Sequence, residues 1–146
     1  MSIKTIEQKR AKYALDFIEP IKENKTLAKE IRSRANELPA MIHSNGLGQA
    51  VAFYKSKSND NEGNSQDNAY EKMYQLLSDW LCNADNGDIY TSNNSELLEN
   101  IINNDIKLYQ MAQIEALALL KWVKKFARAY LAEGNNVQGG EDDKTE

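Results

Sequence analysis

Apolar residues recur three and four positions apart along almost the whole chain, and its 146 residues include only two prolines. That spacing fits the α-helix, which repeats about every 3.6 residues, and not a half-buried strand, which alternates every second residue. The first helix is predicted from Thr5 to Glu19, with Thr5 as its cap and Pro20 ending it. A second starts at Thr26, whose hydroxyl can accept from amides of the next turn, and runs to Leu38. There Pro39, lacking an N–H, must break a backbone hydrogen bond and kink or restart the helix. Asn45–Gly46 ends that stretch with Gly46 in a left-handed conformation, and a third helix follows from Leu47 to Lys57. A polar stretch, Ser56 to Asp67, is expected to be an exposed loop. A fourth helix, Asn68 to Cys82, gathers Tyr70, Met73, Tyr74, Leu77, Trp80 and Leu81 on one face. Asn94 or Ser95 caps a short helix from Glu96 to Asn103. The last helix, Asp105 to Ala132, is roughly 40 Å long at about 1.5 Å per residue, and Gly134 stops it. The expected fold is a single-domain all-α bundle of five to six helices over residues 1–133, with a disordered acidic tail over 134–146.

The residue inventory narrows the chemistry. One cysteine, Cys82, cannot close an intrachain disulfide, and with one histidine, His43, it makes too few soft ligands for a zinc site. The longest strictly apolar runs, Ala50 to Tyr54 and Ala116 to Leu120, fall far short of the ~20 residues that span a bilayer. The amino-terminal stretch lacks the apolar segment of a signal peptide, so the cytoplasm is the expected compartment. No HxxxH, ExxH or DxD pair stands on a helix, and His43 has no nucleophile beside it. Gly46–Leu47–Gly48 lacks the third glycine of a dinucleotide loop, and no strand precedes it. The expectation is a protein without catalytic residues, metal or cofactor.

Charge is distributed unevenly. The net charge is −4, yet residues 1–58 carry eleven Lys and Arg against six acids, and residues 59–146 carry seven against sixteen. Within 106–131 the basic residues Lys107, Lys121, Lys124, Lys125 and Arg128 face Glu115 alone. On a helical projection Lys121, Lys124, Lys125 and Arg128 share one side, opposite a core stripe of Leu119, Trp122, Val123, Phe126, Ala127 and Tyr130. In the second helix Lys25, Lys29 and Arg32 line a face away from Leu27, Ile31, Ala35 and Leu38. Such ridges are either solvated helix faces or tracks for a polyanion, because the local field counts for more than the net charge.

Three further features stand out. Arg10 falls inside the apolar stripe of Ile6, Tyr13, Ala14 and Phe17, so either a buried carboxylate holds it or it faces a ligand phosphate or partner chain. Ile114 and Leu117 lie on the outer side of the last helix, either buried at that level or awaiting a partner. The large aromatics mostly occupy core stripes, with Tyr54 expected to be the exposed one. Contact with nucleic acid would then go to phosphates and carry no sequence preference.

Three stretches carry a resemblance. Leu38 to Lys57, LPAMIHSNGLGQAVAFYKSK, resembles the central signature of the small α-helical subunit of the type III-B CRISPR Cmr complex. Thr5 to Ile18 is similar to that family's first helix, and Glu115 to Glu133 to its last. Position 48 departs, being glycine where many relatives carry a bulkier residue. The resemblance implies a non-catalytic subunit of an RNA-guided antiviral ribonucleoprotein. Its copies would stack along the backbone that carries the crRNA, beside other Cmr subunits and the target RNA. The residues then expected at RNA phosphates are Lys25, Lys29, Arg32, Lys121, Lys124, Lys125 and Arg128, with Ile114 and Leu117 meeting partners. The rival reading is a helical scaffold that bridges proteins and touches no nucleic acid.

Overall fold

A computed structural model of the chain describes residues 4–58, 68–83, 89–90 and 96–131. The described residues form six α-helices and one 3-10 turn: α1 (Ile6–Ile18), the turn Glu19–Glu23, α2 (Lys25–Asn45), α3 (Leu47–Ser58), α4 (Ala69–Leu81), α5 (Leu97–Asn103) and α6 (Ile106–Tyr130). The all-α reading holds. The expected tail and most of the Ser56–Asp67 loop lie outside the described residues, and the cap of α5 is Glu96, whose side chain accepts from the Glu99 amide at 3.2 Å, and not Asn94 or Ser95.

Short polar side chains set the helix starts. Thr5 Oγ1 accepts from the Gln8 amide at 3.1 Å while Gln8 Oε1 accepts from the Thr5 amide at 2.9 Å, a reciprocal capping box. Asn68 caps α4 through the amides of Tyr70 and Glu71, and Asp105 caps α6 through that of Leu108. For α2 the cap is Asn24 and not Thr26: its side-chain oxygen accepts from Leu27 N–H at 3.1 Å, so Thr26 already lies inside the helix.

The helix does not restart at Pro39: α2 is continuous across it. A proline inside a helix costs about 3 kcal/mol, but Leu38 and Ile42 flank it fully buried, and each such side chain gains about 1.5–3 kcal/mol. Tyr54 also pins this stretch, donating from its hydroxyl to Glu37 Oε1 at 2.6 Å. The bundle therefore keeps one long helix where local chemistry alone would make two.

Gly46 has φ 90° and ψ 159°, so its φ is positive as expected while its ψ is extended. It ends α2 by donating to Ile42 O at 2.8 Å, and its own carbonyl accepts from Ala50 in α3. The first amides of α3 are capped from a distant helix: Leu47 N–H donates to Gln113 Oε1 and Gly48 N–H to the Tyr109 hydroxyl, each at 2.9 Å. At the other end of α2, the Arg32 guanidinium donates to the carbonyls of Arg128 at 3.3 Å and Leu131 at 3.1 Å. These two ends fix α2 and α6 as an antiparallel pair. Helix α1 packs on α6, α3 and α4 pack on α2, and α5 bridges α3 and α4. Ile31, Leu38, Leu47, Met73, Leu77, Trp80, Leu119 and Leu120 fill the shared core.

Candidate nucleic-acid interface

The C-terminal half of α6 and the N-terminal half of α2 meet where Arg32 caps α6. Of the predicted basic residues, Lys25, Lys29, Lys121, Lys125 and Arg128 are exposed, whereas Arg32 and Lys124 are half-buried. Among the described residues Lys25, Lys29, Lys121, Lys124 and Lys125 form no ion pair. Lys121 does lie close enough to Glu7 for its charge to help lower that carboxyl's pKa. Arg32 is committed to the carbonyls that end α6, where a cation also opposes the helix dipole. The two basic tracks thus lie on adjoining helices at one end of the bundle, joined through a structural arginine.

Arg10, on α1, is held by carboxylates. Its Nε and one terminal nitrogen donate to the two oxygens of Glu115 at 2.8 and 2.7 Å, a bidentate pair. The other terminal nitrogen donates to Glu7 at 2.6 Å. Glu115 also accepts from Trp80 Nε1, and Glu7 from Trp122 Nε1, both at 2.8 Å. Hydrogen bonding from Trp122 holds the Glu7 carboxyl below its usual pKa, against some desolvation, and the Arg10 charge adds to the lowering. Of the two readings of Arg10, the structure takes the carboxylate one. Glu115, the lone acid among the cations of α6, is spent on this cluster, so it is not available to neutralise the ridge.

Placement of the aromatics departs from expectation. Tyr54 is fully buried, its ring edge-on to Tyr70, and its neighbour Phe53 is the exposed one. The reason is register: position 54 points between α2 and α4, whereas Phe53 lies at the edge, where its ring meets those of Tyr70 and Tyr54 and stays 41% exposed among the described residues. On α6, Trp122 and Phe126 are half-buried and pack against the core as their place in the stripe predicts, whereas Tyr130, in the same stripe, is 49% exposed. Ring centroids are 5.6 Å apart from Trp122 to Phe126 and 6.0 Å from Phe126 to Tyr130.

Leu117 packs against the core, whereas Ile114 is 69% exposed, with Ile102 and Ile106 also exposed at the α5–α6 junction. His43 is exposed in the last turn of α2. Cys82 is buried, and burial pushes its thiol pKa up to about 11. Among the described residues no group of His, Cys, Asp or Glu is arranged to hold a metal, and no helix is long and apolar enough to cross a membrane. Residues 6–130 match the protein-family model described as CRISPR-associated protein (Cas_Cmr5).

Proposed function

The chain belongs to the Cas_Cmr5 family of CRISPR-associated proteins, the small subunit of the type III-B Cmr complex, and on that premise we propose that it is a non-catalytic, cytoplasmic subunit that holds RNA by its phosphates. The observation that carries this reading is the set of exposed lysines, Lys25, Lys29, Lys121 and Lys125, which lie on two adjoining helices and, among the described residues, form no ion pair. Each copy offers a track of only about two turns. Copies lined up along the crRNA-carrying backbone join these tracks into one groove, so an isolated chain binds RNA weakly. The exposed Ile114 is the contact for neighbouring subunits, whereas Leu117 contributes from within the fold. The absence of a catalytic role is supported by the burial of Cys82, whose raised pKa disfavours the reactive thiolate, and by the solitary exposure of His43.

Charge reversal tests the reading. Lys121→Glu with Lys125→Glu, in the assembled complex, is expected to weaken retention of single-stranded target RNA. It also lowers the log–log salt slope by about 0.7 for each phosphate no longer neutralised. Ultraviolet crosslinking of the small subunit to RNA in the same particle separates this from a protein-only scaffold, which gives no crosslink. Unchanged retention and an unchanged slope overturn the proposal.

A further inference from the structure

We propose that Trp122, Phe126 and Tyr130 form a stacking platform for the bases of single-stranded RNA, set beside the lysine row that meets its phosphates. This inference rests on the RNA reading above and deepens it. The three rings stand one helical turn apart, tilted 40° and 42° to their neighbours. Lys121 and Lys125 immediately precede Trp122 and Phe126 in sequence, so a cation row and an aromatic row run in parallel, about 100° apart around α6. Proteins that bind single strands without sequence preference combine these two elements: a basic groove for the backbone and aromatic faces on which any base can stack.

The rings are also held in place from outside the core. Trp122 is fixed by its hydrogen bond to Glu7, and the Lys22 ammonium lies 5.5 Å from the centroid of the Tyr130 ring. Aromatic groups already oriented lose little freedom when a ligand arrives. Core packing accounts for the inner edges of Trp122 and Phe126, but it does not account for a tyrosine half open to solvent at the end of the row. Lys22 covers part of that ring, and phosphate contact alone, the expectation from sequence, gives no use to the surface it leaves open.

The experiment uses the assembled complex containing the full chain, with two probes: a single-stranded oligoribonucleotide and an abasic ribose-phosphate strand of equal length. Tyr130→Ala is expected to weaken the base-bearing strand roughly five- to tenfold, and to leave the abasic strand and the salt slope unchanged. Tyr130→Leu, which keeps apolar bulk against Phe126 but has no π face, behaves like the alanine variant, and Tyr130→Trp restores binding. Stacking is overturned where Tyr130→Ala weakens both strands alike or neither, while Lys121→Glu with Lys125→Glu still weakens both. If that lysine reversal weakens neither strand, the RNA reading fails and takes the platform with it.

Discussion

Replacing Glu115 with alanine removes one carboxylate that accepts from Arg10 twice and from Trp80 once. The Arg10 and Glu115 side chains are only 13% and 12% exposed, so the guanidinium left behind cannot be fully rehydrated. Removing one partner of a buried ion pair costs about 3–5 kcal/mol. Arg10 keeps its bond to Glu7, which places its share at the lower end of that range. The orphaned Trp80 N–H adds roughly 1 kcal/mol. The expected loss is therefore about 4 kcal/mol, read in urea denaturation followed by far-ultraviolet circular dichroism. For a chain of this size that corresponds to a fall in Tm of roughly 8–16 °C. Arg10→Met combined with Glu115→Leu removes both charges, and it is expected to be more stable than Glu115→Ala alone by about 1–2 kcal/mol. A loss below about 1 kcal/mol for Glu115→Ala refutes the view that this cluster joins α1, α4 and α6 as a unit. A double variant no better than the sum of its singles does the same.

Gly46→Ala is expected to cost about 2 kcal/mol, because φ is 90° and a Cβ there would meet the Tyr109 hydroxyl at 3.1 Å. Gly48→Ala is the control: its Cβ would find nothing nearer than 3.5 Å, so the urea midpoint holds or rises. For Glu7, the depressed folded-state pKa gives stability that is present above the unfolded value of about 4.3 and lost as pH falls through the folded one. Glu7→Gln is thus expected to flatten the acid limb of the stability–pH curve measured between roughly pH 6 and 3. Superimposable limbs for the two proteins count against the Trp122 and Arg10 bonds.

Much of the candidate interface was legible because helical periodicity places side chains by angle alone. The grouping of Lys121, Lys125 and Arg128 on one side of α6, and of Lys25 and Lys29 on one side of α2, follows from spacing and survives in the fold. The role of Arg32 did not follow. Its position on the helical wheel matches those of Lys25 and Lys29, but the antiparallel pairing of α2 with α6 puts open carbonyls within its reach. The aromatic row was missed for a related reason. Hydrophobicity assigns Trp122, Phe126 and Tyr130 to the core, and exposure depends on how far a neighbouring helix extends over them.

By itself the sequence determined the helical segments, the cap at Thr5, helix starts at Asn68 and Asp105, and the side of each helix that carries charge. All of these depend on groups a few residues apart, so the chain specifies them locally. Tertiary structure alone decided that Arg10 pairs with Glu115, 105 positions away. It likewise decided that α6 side chains cap α3 and that α2 runs through Pro39. Each of these sets a buried polar group or a backbone defect against partners that only packing brings within reach.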